Sequence, residues 1–458
     1  MTESLLVAGL AGSACPIHLV AEEAWPGLAA TLPPRSAGFA KAAGFVPKAG
    51  RHLLLPGEDG SLAGVLFGLG STPDPFLPGK LPGLLPPGLY AFAAAPANPD
   101  LAALAWCLGA YRFDRYRKAA EEGAARLVVP DGVDAAEVER IAAAVALGRD
   151  LINTPANDLL PDGMEAAVRA LAERHGAALT VTTGEELARD FPMIHAVGRA
   201  SAVPPRLLDL VWGDTNAPRV TLVGKGVSFD TGGLDIKPSS AMLLMKKDMG
   251  GAAAAIAAAA MIMGAGLPVR LHLLVPAVEN AVSGSAFRPG DILRSRKGLT
   301  VEIGNTDAEG RLILADALSL ADEEAPDLLV DFATLTGAAR VALGPDLPPL
   351  FTNDDALAAD LARLGAAVND PVWRLPLWAP YRSLLDSKIA DTNNVSSGAF
   401  AGAVTAALFL ARFVERAKSY AHFDIYGWTP SAKPGRPEGG EPQAARLVYA
   451  LVKERFGG

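Results

Sequence analysis

A short apolar run typical of a β-strand, residues 299–303, leads directly into an acidic segment and then into a helical pattern over residues 308–323. A strand that feeds a helix is the unit of α/β folds, and side chains just after such a strand often form the functional site. The acidic segment reads Asn-Thr-Asp-Ala-Glu-Gly-Arg-Leu, residues 305–312. Asp307 and Glu309 are two positions apart, so in an extended chain both point to one side and could share a pair of metal ions. The alternative is a helix N-terminus, where acidic residues are favoured, followed by an exposed arginine.

Strand-like and helix-like segments alternate through the last two thirds of the chain. Short apolar runs that suit buried strands are separated by longer segments with helical periodicity. This alternation predicts a mixed, largely parallel sheet sandwiched by helices. The predicted strands cover residues 207–212, 220–223, 271–275, 299–303, 328–333 and 420–426, and the predicted helices cover residues 249–265, 308–323 and 404–417.

The first third of the chain also mixes strands and helices, with many proline and glycine residues between them. A chain of 458 residues is long enough for more than one domain. Pro155 should end a helix that suits the connection between two domains. We therefore expect an N-terminal α/β domain over residues 1–133, a linker helix over 134–152 and a catalytic domain over 153–458. The predicted strands here cover residues 53–55, 62–67, 89–93 and 126–130, and the predicted helices cover residues 97–118 and 134–151.

The composition argues against several classes of protein. Hydrophobic residues make up 50% of the chain and charged residues 20%, which indicates a folded globular protein. The net charge is −9 and there is no block of basic residues, which disfavours a nucleic-acid or membrane-surface partner. Cys15 and Cys107 are the only cysteines, so neither a disulfide framework nor a thiolate metal site is expected. Because the N-terminus lacks the basic start of a signal peptide, a cytoplasmic location is expected.

One uncharged stretch, residues 250–267, has about the length of a membrane span. It consists mostly of alanine and glycine, which are weak membrane formers. We therefore predict a helix packed closely beneath the sheet.

Two motifs upstream extend the charged pattern of residues 305–312. Residues 222–238 read Leu-Val-Gly-Lys-Gly-Val-Ser-Phe-Asp-Thr-Gly-Gly-Leu-Asp-Ile-Lys-Pro, and residues 245–251 read Met-Lys-Lys-Asp-Met-Gly-Gly. Together the three motifs resemble the leucyl aminopeptidase family, the dinuclear metallo-exopeptidases also called cytosol aminopeptidases or peptidase family M17. The seven charged residues that match the family spacing lie within 87 residues: Lys225, Asp230, Lys237, Asp248, Asp307, Glu309 and Arg311.

The resemblance implies a site for two divalent metal ions per chain. In the family, residues matching Asp230, Asp307 and Glu309 bind one metal, and those matching Lys225, Asp230, Asp248 and Glu309 bind the other. A lysine can ligate only as the neutral amine, so the metals must displace its proton. The chain has only six histidines and no His-Glu-x-x-His motif, which leaves oxygen ligands. Such ligands suit Mn²⁺, Mg²⁺ or Co²⁺ and are tolerated by Zn²⁺. We expect Mn²⁺ or Zn²⁺, with Mg²⁺ or Co²⁺ as alternatives.

The resemblance also implies the reaction and its remaining residues. The family removes N-terminal residues from short peptides through a water that bridges the two metals. The residue matching Lys237 stabilises the oxyanion, and the one matching Arg311 holds a bicarbonate ion that acts as general base. Residues matching Met245, Thr334 and Gly337 line the side-chain pocket. A methionine wall adapts to varied apolar side chains, so apolar N-terminal residues are the expected substrates.

Fold details of the first third and the oligomeric state follow from the resemblance alone. It covers residues from about 140 to 427 well, but in the first third it rests on Gly-Ala-Tyr-Arg-Phe-Asp-Arg-Tyr, residues 109–116. Family members have a macro-like α/β N-terminal domain and form homohexamers, as dimers of trimers. The expected partners are therefore short peptides and further copies of this chain, with neither a membrane nor nucleic acid.

Two other functions would use part of the same pattern. A dinuclear phosphoesterase could use the carboxylates, but it leaves Lys225 and Lys237 at the family spacing unexplained. A non-enzymatic DNA-binding or scaffold role of the same fold is disfavoured by the acidic balance and by the complete set of site residues.

Four further residues near these motifs receive no functional role. His272 and His422 lie in strand-like runs and are interpreted as core histidines with satisfied hydrogen bonds. Asp235 falls outside the family set and is interpreted as structural, and Asp424 is left unassigned.

Overall fold

The computed structural model describes residues 4–9, 11–117 and 123–457, and the chain divides into two compact units. The first unit contains the described residues up to Ala146 together with residues 431–438, and the second contains residues 147–430 and 439–457. The division falls inside a helix, Ala135–Asn153, where the sequence predicts a linker helix. Both units combine sheets and helices, which confirms the predicted α/β class.

The N-terminal unit is built on one six-stranded sheet. Its strands are β1 (Leu6–Val7), β2 (Cys15–Ala21), β3 (His52–Pro56), β4 (Leu62–Gly70), β5 (Gly88–Phe92) and β6 (Ala125–Val128), and its helices are α1 (Trp25–Thr31), α2 (Pro34–Ala42) and α3 (Pro99–Gly109). The strand order is β1-β6-β5-β2-β4-β3, and all neighbours are parallel except β3 and β4. Strands β3 to β6 confirm the four strands predicted in this region.

The predicted helix over residues 97–118 is too long. Helix α3 ends at Gly109, and Arg112 Nη1 donates hydrogen bonds to the carbonyl oxygens of Gly109, at 3.1 Å, and Tyr111, at 2.9 Å. A side chain that folds back to bind the last carbonyl groups ends a helix in place of a further turn. The predicted end, Lys118, lies outside the described residues.

The second unit contains the larger sheet and most of the helices. Its strands are β7 (Ala178–Thr182), β8 (Arg206–Trp212), β9 (Arg219–Gly224), β10 (Gly226–Asp230), β11 (Arg270–Asn280), β12 (Ile292–Arg294), β13 (Thr300–Glu302), β14 (Leu328–Ala333), β15 (Pro349–Phe351), β16 (Trp373–Arg374), β17 (Thr392–Asn393), β18 (Tyr420–Asp424), β19 (Trp428–Thr429) and β20 (Gly439–Gly440). The helices from the dividing one onward are α4 (Ala135–Asn153), α5 (Pro161–His175), α6 (Gly184–Asp190), α7 (Pro192–Gly198), α8 (Ser239–Met242), α9 (Gly250–Gly264), α10 (Gly310–Glu323), α11 (Gly337–Leu343), α12 (Asp355–Ala367), α13 (Gly402–Leu410) and α14 (Ala445–Phe456).

The larger sheet is mixed, as predicted, with parallel strands at its centre. Its order is β16-β15-β18-β14-β9-β11-β8-β7, and β10 also pairs with β11. Strands β18, β14, β9 and β11 are parallel neighbours, whereas β8 runs antiparallel to both β11 and β7. Smaller sheets are formed by β12, β13 and β17 and by β19 and β20. The carboxyl ends of the central parallel strands therefore meet at one edge, where α/β proteins place their sites.

The predicted helix over residues 404–417 is broken near its end. Helix α13 ends at Leu410, a short 3-10 turn covers Ala411–Phe413, and Val414 is extended. The buried carboxylate of Asp322 accepts hydrogen bonds from the backbone N–H groups of residues 415, 416 and 417 at 3.0, 2.7 and 2.8 Å. Because these amides bind a side chain, they are not available for a helical ladder.

Helix α9 accounts for the uncharged stretch at residues 250–267. Nearly all of its side chains are buried, and it packs on β9 and β14. A Cβ atom at Gly251 would collide with the carbonyl oxygen of Phe332, and one at Gly224 would lie 2.5 Å from Ala252 Cα. The small residues thus allow the helix backbone to touch the sheet. No helix within residues 4–9, 11–117 and 123–457 is long and apolar enough to cross a membrane.

Replacing Gly251 with alanine tests this close packing. Alanine is favoured over glycine inside a helix by about 0.5–1 kcal/mol, so propensity alone predicts a more stable protein. The collision with Phe332 instead predicts a loss of about 1–3 kcal/mol and a lower Tm in a thermal unfolding scan. Gly284→Ala is the control, because a Cβ atom there meets no atom within 4 Å. A Gly251→Ala protein as stable as the parent would contradict this account of α9.

Candidate metal centre

The candidate site lies at the carboxyl edge of the central parallel strands. Lys225 joins β9 to β10, and its backbone N–H donates to Phe332 O while its carbonyl accepts from Ala252 N, both at 2.9 Å. The residue is therefore fixed between β14 and α9. Asp230 is the last residue of β10, and Asp248 lies in a 3-10 turn, Met245–Met249, that leads into α9.

The acidic segment that follows β13 supplies the other carboxylates. Asp307 and Glu309 lie between β13 and α10, and the turn is held by Asp235, whose carboxylate accepts a 2.8 Å hydrogen bond from Thr306 N. Thr306 Oγ1 also donates to the carbonyl of Gly232 at 2.7 Å. The interpretation of Asp235 as structural is confirmed, because it joins the two loops that bear site residues.

Six of the seven charged residues form one cluster. One oxygen each of Asp230, Asp307 and Glu309 lies within 4.8 Å of the other two. The amine nitrogen of Lys225 lies 2.7 Å from Asp248 Oδ2 and 3.0 Å from Glu309 Oε1. The cluster is completed by Lys237, whose Nζ lies 2.8 Å from Asp230 Oδ2 and also contacts Asp307.

Neighbouring groups hold the carboxylates in place. Asp230 Oδ1 accepts hydrogen bonds from Gly232 N at 2.9 Å and from Asn280 Nδ2 at 2.8 Å. Asp248 Oδ1 accepts a 2.9 Å bond from Thr334 Oγ1. These contacts leave the opposite oxygens of Asp230 and Asp248 facing the lysines.

Burial and the charges of neighbouring groups raise the pKa values of several residues in the cluster. Burial and the charge of Asp230 raise the pKa of Glu309 well above its ordinary value and that of Asp307 to about 6. Burial likewise raises the pKa of Asp248. Burial alone would lower the pKa of Lys225, but the charges of Asp248, Glu309 and Asp230 outweigh it and raise the pKa. The carboxylates therefore carry more negative charge than the two lysines balance, and further positive charge would stabilise the site.

The unshared oxygens fit divalent metal ions. Asp248 Oδ2, Asp307 Oδ1 and Glu309 Oε1 are buried, and none accepts a well-aligned hydrogen bond from the part of the chain that the structure describes. Each of these oxygens contacts a lysine amine as an ion pair. Buried carboxylate oxygens with free lone pairs are the ligands that Mn²⁺, Mg²⁺ and, less selectively, Zn²⁺ accept.

Arg311 lies beside the cluster rather than within it. It occupies the first turn of α10, its side chain is buried, and its Nη1 donates a 2.6 Å hydrogen bond to Asn394 O. Burial lowers the pKa of Arg311 to about 10, although the nearby charges of Glu309 and Asp424 act in the opposite direction. Its Nε finds no acceptor among the described residues. An anion beside Nε would supply the missing acceptor.

A cavity of about 560 Å³ opens beside the cluster. The three predicted pocket residues, Met245, Thr334 and Gly337, all line it. The cluster residues on its wall are Lys225, Asp230, Lys237, Asp248 and Asp307. The structure thus brings the predicted pocket and four of the five predicted metal ligands to one cavity.

Two further charged residues that received no role from the sequence line this cavity, Asp424 and Lys247. Asp424, at the end of β18, accepts hydrogen bonds from Leu335 N at 3.0 Å, Thr336 N at 3.1 Å and Thr336 Oγ1 at 2.6 Å. It therefore shapes the loop that bears Thr334, and its position at a strand end was the available signal. Lys247 is buried in the cavity wall, and burial lowers its pKa to about 8.

Each of the two core histidines has one hydrogen-bonded ring nitrogen. His272 Nε2 lies 2.9 Å from Asp209 Oδ1, whereas its buried Nδ1 lies 3.4 Å from Glu324 Oε2 without a hydrogen bond to the described residues, so the prediction for His272 is half right. His422 is satisfied only at Nδ1, 2.7 Å from Asp331 Oδ1. Its Nε2 is buried with no partner in the described part of the chain, so the prediction for His422 is half right.

Comparison with known proteins identifies the family. The model of the cytosol aminopeptidase family catalytic domain matches residues 146–451, and that of the M17 aminopeptidase N-terminal domain matches residues 15–130. The chain belongs to the cytosol aminopeptidase family. It is therefore a metal-dependent aminopeptidase of the M17 type with an N-terminal domain and a C-terminal catalytic domain. The resemblance drawn from the three motifs is confirmed.

Individual known proteins are similar to this chain over most of its length. A probable cytosol aminopeptidase of Syntrophotalea carbinolica is 43% identical over 365 residues, covering 76% of this chain and 73% of that relative. The crystal structure of the cytosol aminopeptidase from Coxiella burnetii superposes with a TM-score of 0.93 at 45% identity, covering 99% of both chains. The bottromycin maturation enzyme BotP in complex with Mn superposes with a TM-score of 0.87 at 34% identity, covering 96% of this chain and 99% of BotP.

Replacing Lys225 with methionine tests the charge balance of the metal-free cluster. Breaking a buried ion pair by removing one partner costs about 3–5 kcal/mol, so the chelator-treated variant should unfold at a distinctly lower temperature than the parent. The control is Lys418→Met, which removes an amine that is 72% exposed and pairs with Asp327. Exposed pairs contribute about 0–1 kcal/mol. Equal Tm shifts for the two variants would refute the proposed dependence of the cluster on Lys225.

Proposed function

We propose that this protein is a leucyl-type aminopeptidase that removes N-terminal residues from short peptides with the help of two divalent metal ions. The observation that carries the proposal is the cluster of four carboxylates and two lysines, of which all but Glu309 line a peptide-sized cavity. A catalytic metal pair needs such oxygen ligands next to open space for a substrate.

The proposed ligand sets follow the family pattern. Asp230, Asp307 and Glu309 would hold one ion, and Lys225, Asp248 and the shared Asp230 and Glu309 would hold the other. Mn²⁺ or Zn²⁺ is the proposed metal, with Mg²⁺ or Co²⁺ as alternatives, and the Mn complex of BotP supports manganese. When bound, the metals supply Lewis acidity toward water and the peptide carbonyl, and bicarbonate supplies a base for the proton of that water.

Two cationic side chains would complete the chemistry. Lys237 reaches the cavity and is 14% exposed, so its ammonium can stabilise negative charge on the oxygen of the scissile carbonyl. Arg311 would hold the bicarbonate ion, because a guanidinium binds a planar anion through two parallel donors. The unpartnered Nε of Arg311 supports this role.

The cavity also supports a preference for apolar N-terminal residues. Met245 and Leu244 provide a flexible apolar wall, and Gly337 leaves room for a side chain. Leucine and methionine are therefore the first substrates to test. The names of the relatives support a cytoplasmic location for this activity.

Self-association into a homohexamer, as a dimer of trimers, is part of the proposal. The catalytic unit exposes several large apolar side chains, and such residues often mark interfaces between subunits. Examples are Val341 (84% exposed), Trp373 (60%), Trp378 (54%), Ile389 (63%) and Phe400 (87%).

Alanine substitutions separate the two cationic roles from substrate binding. Lys237→Ala removes an interaction that is strongest in the transition state, so kcat for Leu-p-nitroanilide with Mn²⁺ should fall by about 10²–10³-fold with little change in KM. Arg311→Ala should slow turnover and abolish stimulation by added bicarbonate. Lys418→Ala and Arg288→Ala change exposed cations and serve as controls. If Lys237→Ala and Arg311→Ala change only KM, the assigned roles are wrong.

The mass in solution tests the assembly. Six chains of 47.3 kDa give about 280 kDa for a closed dimer of trimers. Light scattering coupled to size exclusion should therefore report about 280 kDa for the active protein. A fully active protein with the mass of one or two chains would exclude the hexamer.

A further inference from the structure

One part of the cavity wall is positively charged and lies beside the carboxylate cluster. It consists of Lys247, Arg340 and Tyr426, all of which line the 560 Å³ cavity. Lys247 Nζ lies 4.5 Å from the centre of the Tyr426 ring, and the Arg340 guanidinium carbon lies 5.1 Å from it. Arg340 Nη1 also donates a 3.4 Å hydrogen bond to the Tyr426 hydroxyl. One aromatic ring thus holds two cations on the same wall, which we call the cationic wall.

Lys247 lacks the anionic partner that a buried ammonium needs. Lys247 is only 6% exposed. Its Nζ forms neither a hydrogen bond nor an ion pair with any residue in the described ranges. A cation–π contact offsets only part of the hydration free energy that an ammonium loses on burial. A buried charge that faces a cavity without a partner indicates a ligand of opposite charge.

The carboxylates nearest Lys247 bind other groups. Asp248 faces Lys225 at 2.7 Å and accepts a hydrogen bond from Thr334. Asp424 accepts three hydrogen bonds from Leu335 and Thr336. Both acids reduce the repulsion between the cations, but neither binds Lys247 directly.

The cationic wall lies next to the residues proposed to contact the substrate side chain. Lys247 follows Met245 by two positions in the same 3-10 turn. Arg340 follows Gly337 by three positions on α11, so both lie on one face of that helix. A peptide that occupies the cavity therefore passes both an apolar surface and two cations.

We propose that Lys247 and Arg340 bind a carboxylate of the peptide substrate. The inference rests on the proposed aminopeptidase function and narrows its substrate class to short peptides with a carboxylate within reach of this wall. Two sources supply that chemistry, namely the side chain of an N-terminal glutamate or aspartate and the C-terminal carboxylate of a dipeptide. An ammonium and a planar guanidinium together suit a carboxylate, which offers two acceptor oxygens.

Matched substrates that differ only in one carboxylate test the proposal. The first pair is glutamyl- and glutaminyl-p-nitroanilide, which probes the N-terminal side chain, and the second is Leu-Gly and Leu-Gly-amide, which probes the C-terminus. A charged hydrogen-bonded contact predicts a kcat/KM at least about tenfold higher for the acid in one of the pairs. Lys247→Met should reduce that ratio to about one while changing kcat/KM for the neutral member of the pair much less.

Two more variants keep the test decisive. Lys246→Met is the matched control, because Lys246 donates to Asn153 O at 2.7 Å and is not among the described residues that line the cavity. It should preserve the acid-to-amide ratio. Arg340→Gln changes an exposed residue, so it should lower the ratio even if Lys247→Met fails to fold.

The outcomes also separate this inference from the proposed function. If the parent enzyme cleaves both members of each pair equally well, or if Lys247→Met and Arg340→Gln keep the parent ratio, the carboxylate site is refuted and the peptidase assignment stands. If the metal-loaded parent cleaves none of the four substrates, nor Leu-p-nitroanilide, the proposed function itself fails.

Discussion

Four carboxylates buried in one cluster can coexist only next to positive charge, and much of the catalytic unit is arranged around this constraint. Like charges a few ångströms apart in a poorly solvated site repel strongly. Lys225 and Lys237 supply two positive charges against the four acids, Asp230, Asp248, Asp307 and Glu309. Burial first, and repulsion by neighbouring acids second, raise the pKa values of Asp248, Asp307 and Glu309 despite the two lysines. Divalent cations would supply what the lysines do not.

Two glycines allow these groups to come together, because a side chain at either position would collide with a neighbouring segment. Gly251 lets α9 rest directly on β14, which fixes the backbone of Lys225 between them. Gly310, in the middle of the acidic segment, leaves space for the lysine itself, since a Cβ atom there would collide with the Lys225 side chain. The glycine between Glu309 and Arg311 is therefore as much a part of the site as the charged residues.

Much of this arrangement could be predicted because the chemistry is encoded locally. The three motifs contain all six members of the cluster, and strands such as β9, β14 and β18 are recognisable from short apolar runs. What local patterns could not reveal depends on contacts between distant segments. The end of the helix predicted over 404–417 is set by Asp322, about ninety residues earlier. The cationic wall likewise joins Lys247, Arg340 and Tyr426, which no single motif contains. The individual metal ligands, the roles of Lys237 and Arg311 and the hexamer remain predictions.

The central claim, that the cluster is a site for a pair of divalent metal ions, is tested most directly by counting those ions. Chelator-treated protein titrated with Mn²⁺ in a calorimeter should bind two ions per chain, and Asp307→Asn should bind fewer than two, because a neutral amide is a weaker ligand than a carboxylate. Asp355→Asn, which changes an acid with an 89% exposed side chain outside the cluster, should still bind two. A parent protein that binds at most one ion, or an Asp307→Asn protein that binds two as tightly as the parent, would contradict the account.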